Sequence, residues 1–111
     1  MKRGEIRLAD LSPTRGSEIA KHRPVVIVSN NANNRASSTI TILPITSNVT
    51  RVYPFEVLLT ARASGLPKDS KIQAQQIRTI AKERITGEVI GQLSMETSQA
   101  VDAAIKLHLA I

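Results

Sequence analysis

The segment GSEIAKHRPVVIVSN, residues 16–30, sets the tightest limit on what this chain can fold into. Pro24 is followed by four consecutive β-branched residues, Val25, Val26, Ile27 and Val28. Branching at Cβ favours extended backbone. An unbroken apolar run this short, ended by Ser-Asn, predicts a strand buried on both faces. A basic pair, His22-Arg23, stands at its mouth. Such a pair either caps a sheet or sits at the rim of a site.

The rest of the chain supplies partners for that strand. EIRLADL, with Ile6, Leu8 and Leu11, reads as a first strand ended by the turn SPTRG. NNANNRASS is a polar loop with room for a helical turn. TITILPIT, residues 39–46, alternates Ile40 and Ile42 and then meets Pro44, which predicts a bulge or an edge. PFEVLLTA, residues 54–61, puts Phe55, Val57 and Leu59 on one face. KIQAQQIRTI, residues 71–80, puts Ile72, Ala74, Gln76 and Arg78 on one face at period two, while Ile77 and Ile80 fit helix spacing equally well; the flanking strands favour a strand, and RITGEVIGQL reads as another with glycine bends. SMETSQAVDAAIKLHLAI is a helix: Ser94 caps it, Glu96 suits its first turn, and Lys106 lies near its end. Its stripe Val101/Ile105/Leu109 should face the sheet. Residues 1–111 form one domain, with no internal repeat or linker. The expected class is mainly β with helices: a small, strongly bent sheet or barrel with a C-terminal α-helix.

Charge narrows the function. Lys and Arg number 15 against 9 acidic residues, a net charge of +6, with a pI near 10.3. That favours polyanionic or acidic partners. Nine of the basic residues are Arg, whose planar fork suits phosphate. Only two aromatic residues, Tyr53 and Phe55, are present, too few for an extended base-stacking platform. Cysteine is absent, which removes disulfides, thiol nucleophiles and zinc knuckles. No apolar run is long enough to span a membrane, and Met1-Lys2-Arg3-Gly4 leads into no signal-peptide core, so the expected location is cytoplasmic.

Most catalytic motifs are missing: no HExxH, Walker loop, GxSxG or GxGxxG occurs. Two histidines, His22 and His108, are too few for an all-His site, so no metal and no cofactor are expected. What remains is the loop cluster Ser17, Glu18, Lys21, His22 and Arg23. It suits a phosphodiester. RNA carries its own nucleophile, the 2′-hydroxyl, and an enzyme need only move protons and stabilise charge on phosphorus. Basic loops at strand entries are, however, usually just solvated.

The ordered set KRGEI, ADLSPTRGSE, KHRPVVIVSN, LPITSN, YPFEVLL and QAQQIRTIAKERI resembles the MazF/PemK family of toxin endoribonucleases, over nearly the whole chain. The resemblance implies an SH3-like or CcdB-like barrel, a homodimer, and a cognate antitoxin that blocks the RNA groove. It implies metal-independent, sequence-specific cutting of single-stranded RNA, leaving a 2′,3′-cyclic phosphate and a 5′-hydroxyl. DNA would be bound only through the antitoxin complex. Arg23 matches the family's catalytic arginine and Thr46 its catalytic threonine. Ser17 and Glu18 match the GSE loop that contacts RNA, and Gln76 would line the same groove. His22 is then a positioning or solvated residue and His108 a structural one. Arg7 stands where relatives often carry an aromatic. The competing reading is a non-catalytic toxin or regulator on the same fold, acting on a protein target such as a topoisomerase.

Overall fold

A computed structural model describes residues 1–12, 16 and 22–111. The element order is β1 (Glu5–Asp10), β2 (His22–Ile27), α1 (Asn31–Ala36), β3 (Thr39–Thr46), β4 (Glu56–Leu59), α2 (Ala61–Ser64), β5 (Ser70–Gln73), β6 (Arg78–Ala81), β7 (Ile85–Gln92) and α3 (Met95–Leu109). The strands pair antiparallel in the order β4-β5-β3-β2-β1-β7, with β6 also on β3. The mainly β class with a C-terminal helix holds, but the described hydrogen-bond ladder does not close into a barrel. Side chains bridge where the ladder stops. Arg84 Nη1 donates to the carbonyl oxygens of Asp10 at 3.0 Å and Ser12 at 2.5 Å, and Arg78 Nη1 to that of Leu11 at 3.4 Å. These two guanidiniums, suited on paper to phosphate, staple the end of β1 to the β6–β7 region.

The β-branched run of β2 is buried on both sides because it serves two cores. Val26 joins Ile6, Leu43, Ile45 and Ile72 in the core that receives Val101 and Ala104 of α3. Val25 and Ile27 point the other way, into a core with Ala9, Leu11, Ile40 and Ile42. Val25, Val26 and Ile27 are all fully buried. Period-two alternation on a strand covered on both faces requires apolar residues at every position.

Pro44 marks a change of neighbour. On one side β3 pairs with β2, and Val25 lies opposite Pro44. On its other side β3 pairs with β6 up to Ile42 and with β5 from Ile45 onward. Pro44 falls in the gap, where a residue without an N–H costs no ladder bond. The expected single strand over 71–80 therefore breaks. Residues Ala74–Gln76 form a 3₁₀ turn that carries the chain across the gap. The period-two face of Ile72, Ala74, Gln76 and Arg78 does not survive that turn.

Other boundaries follow local chemistry. The fourth strand ends at Leu59 because Thr60 caps α2, its side chain accepting from Ala63 N–H at 3.2 Å. The polar loop after β2 is helical over Asn31–Ala36, capped by Asn30. Ser94 caps α3 as expected, accepting from Thr97 N–H at 3.1 Å. The stripe on α3 is Val101 and Ala104, with Ile105 partly buried, whereas Leu109 is 46% exposed. Residues 106–111 are all exposed, so the last turn has no sheet beneath it. Arg7 occupies a bulge: between Ile6 and Leu8 the β1–β7 register shifts, and Arg7 donates to Gly87 O at 2.9 Å and pairs with Glu5 at 3.2 Å. Its side chain here is part of the sheet.

Gly91 shows how tightly α2 rides on β7. A Cβ there would stand 2.2 Å from the Ser64 carbonyl oxygen. Backbone must move to admit it, so Gly91→Ala is expected to lower the unfolding free energy by about 1–3 kcal/mol. A urea midpoint equal to wild type would refute that contact.

Candidate active site

Arg23 sits near the start of β2 and Thr46 at the end of β3, so antiparallel pairing brings both to one end of the sheet. The described ladder between them runs from Val25 opposite Pro44 to Ile27 opposite Ile42, so Arg23 and Thr46 lie two residues beyond its last pair, one on each strand. Both residues are half-buried. Thr46 Oγ1 accepts from Asn48 N–H at 3.3 Å, which orients the hydroxyl and leaves its own proton to donate.

Arg23 also lines a cavity of about 310 Å³. Pro24, Ile45 and Leu66 give it an apolar floor, while Ser47, Lys68 and the exposed His22 supply polar groups. Ile45 and Ser47, on either side of Thr46, line this cavity, whereas Thr46 itself does not. Ser17 and Glu18 lie outside the described residues, as do Lys21 and most of the SPTRG turn. Gln76 is half-buried in the 3₁₀ turn and is not among the residues lining this cavity. His108 is exposed, its ring tilted against Phe55 at 6.3 Å. Among the described residues, no group of three His, Cys, Asp or Glu side chains is placed to hold a metal ion, and no helix is long and apolar enough to cross a membrane.

Beside Thr46 lies a buried network that sequence reasoning missed. Lys71 is the β5 partner of Thr46. Its Nζ donates to Glu56 Oε1 at 3.0 Å and to Arg51 O at 2.6 Å. Glu56 also accepts from Tyr53 N–H at 2.9 Å, Gln75 at 2.6 Å and Gln73 at 3.3 Å. The Glu56 side chain is 1% exposed. Burial pushes its pKa up, but the Tyr53 amide, Gln75, Lys71 and Gln73 outweigh that and hold it below the ordinary value of 4.5. The signal available in the sequence was the string of polar residues in KIQAQQ, set against an acid in an apolar strand. The network ties the 47–55 loop to the edge of the sheet through the backbone of Arg51 and Tyr53.

The chain is a basic, mainly β domain with a C-terminal helix, carrying a guanidinium and a hydroxyl at one end of its sheet. Residues 2–109 match the family described as PemK-like, MazF-like toxin of type II toxin-antitoxin system, and the chain belongs to that family. It is 48% identical to the Mycobacterium tuberculosis protein named Endoribonuclease MazF9, over 98% of this chain and 96% of that one. It is 38% identical to Endoribonuclease EndoA of Bacillus subtilis, over 100% of this chain and 96% of that one. Its fold resembles a mycobacterial endoribonuclease solved in complex with its cognate antitoxin, with a TM-score of 0.82 and 24% identity, covering 100% of this chain and 96% of that one.

Proposed function

We propose that this MazF-type endoribonuclease is the toxin of a type II toxin–antitoxin pair and cuts single-stranded messenger RNA at short sequences without a metal. The observation that supports the reading is that antiparallel pairing of β2 with β3 puts Arg23 and Thr46 at the same end of neighbouring strands, with Arg23 lining a cavity there. The 2′-hydroxyl oxygen attacks the adjacent phosphorus. The P–O2′ bond forms and the P–O5′ bond breaks, giving a 2′,3′-cyclic phosphate and a 5′-hydroxyl. One proton leaves the 2′-hydroxyl for a base and another is delivered to O5′. Arg23 stabilises the charge that accumulates on the non-bridging oxygens, and Thr46 donates to one of them. Ser17 and Glu18 contact RNA next to the cut, and Gln76 contributes to the groove.

An acidic antitoxin segment would be steered to the same surface by the net charge of +6. The chain works as a homodimer in the cytoplasm, meeting DNA only through its antitoxin. The purified protein is expected to cut RNA fully in excess EDTA, to leave DNA intact, and to yield 5′-hydroxyl ends. Activity that vanishes with EDTA and returns with a divalent cation would overturn the metal-free chemistry. Toxicity without any RNA cleavage would favour a protein target instead.

A further inference from the structure

The only two aromatic residues of the chain, Tyr53 and Phe55, lie against each other. Their ring centroids are 5.3 Å apart and the planes differ by 4°. Phe55 covers one side of Tyr53, yet Tyr53 remains 41% exposed. Cations stand around the ring. The Arg51 guanidinium carbon is 5.5 Å from its centroid, with Nη1 3.1 Å from the phenol oxygen, and Lys71 Nζ is 5.9 Å from the centroid. The backbone that carries the ring is pinned. Tyr53 N–H is bonded to Glu56, and Lys71 holds the Arg51 carbonyl. Lys71 is the cross-strand partner of Thr46, so this ring stands one strand away from the proposed cutting residue.

A half-exposed ring whose hydroxyl accepts from a guanidinium lying over it, one strand from the hydroxyl proposed to meet phosphate, has the chemistry of a base-stacking ledge. Stacking uses the π-face that every base possesses, and the neighbouring cation serves the adjoining phosphate. We propose that Tyr53 stacks a nucleobase of the RNA next to the scissile phosphate, with Arg51, held at the ring's hydroxyl, for the backbone. The inference rests on the RNA-cutting reading above. It adds to that reading a binding residue in the 47–55 loop, outside the Arg23/Thr46 pair.

The chain has one tyrosine and no tryptophan, so its intrinsic emission reports on Tyr53 alone. A single-stranded decamer of randomised sequence with 2′-O-methyl groups, which removes the attacking hydroxyls, serves as an uncleavable probe. Its addition is expected to quench the emission after correction for base absorption. Tyr53→Leu is expected to weaken binding of the decamer about tenfold, equal to about 1.4 kcal/mol, with an unchanged melting temperature, while Tyr53→Trp binds as well as wild type. Emission indifferent to saturating decamer, or Tyr53→Leu binding like wild type, overturns the proposal. So does emission that changes with protein concentration alone, which assigns the ring to a second copy, or that responds to polyglutamate but not to RNA, which assigns it to an acidic protein. If Arg23→Ala still cuts RNA while Tyr53→Leu weakens binding, the assignment of Arg23 falls and the ledge stands.

Discussion

Arg23→Ala is expected to cut RNA about 10²–10³-fold more slowly than wild type at saturating substrate, measured on variant protein confirmed to be folded. The magnitude is that of removing one preorganised donor from a developing oxyanion. The arginine belongs to neither apolar cluster, so its truncation leaves both filled. The loss should fall on kcat more than on KM, because the charge it meets is greatest in the transition state. Arg23→Lys should recover only part of the rate, since an ammonium is a single point of charge where a guanidinium presents a fork. Thr46→Val, which keeps shape and removes the hydroxyl, is expected to lose a smaller factor. Single-turnover cleavage of one defined oligoribonucleotide separates these effects. Full activity in Arg23→Ala would remove that residue from its proposed role.

The largest effect on stability is expected at Glu56. Glu56→Ala leaves the Lys71 ammonium and two glutamine amides without their shared acceptor in a nearly dry site. Breaking a buried ion pair from one side costs about 3–5 kcal/mol. Against a typical domain stability of roughly 5–15 kcal/mol, that lowers the melting temperature by roughly 10–20 °C. The double variant Glu56→Leu/Lys71→Met should recover much of the loss, because removing both charges also removes the desolvation cost. A melting temperature within two or three degrees of wild type, on the order of a 1 kcal/mol change, would show that the network is incidental.

The same carboxylate sets an acid limit. Its folded pKa lies below its ordinary value of 4.5, so its contribution is fully present above that pH. The contribution is lost as pH falls through the folded value, where the native state must take up a proton. Denaturant unfolding followed downward from pH 5 should therefore show a steeper loss of stability in wild type than in the double variant.

The fold was legible wherever one residue's environment was set by its neighbours in sequence. The β2 run, the third strand over 39–46 and the Ser94 cap follow from spacing and side-chain type alone. The strand expected over 71–80 failed for a long-range reason: its partner, β3, offers two separate edges divided at Pro44, a fact written some thirty residues upstream. Leu109 was placed on the buried stripe because helical periodicity says nothing about where the underlying sheet ends. Arg78 and Arg84 looked like phosphate ligands by composition and are sheet staples by geometry. At the site, Arg23 and Thr46 were nameable only through family resemblance, and their position at one end of the sheet depends on strand pairing that no local pattern encodes. The Glu56 network was hidden because its members come from two strands and a turn. The two aromatic residues were discounted by number, and it is their mutual stacking that makes them useful.

The double burial of β2 has a consequence for how such a protein can change. Arg23 is mounted on a beam clamped from above and below, so its bearing tolerates almost no drift. The Thr46-to-Tyr53 segment, by contrast, is lashed down mainly by one carboxylate and one ammonium. Remodelling of that rim would therefore leave β2, and the direction in which it carries Arg23, unchanged.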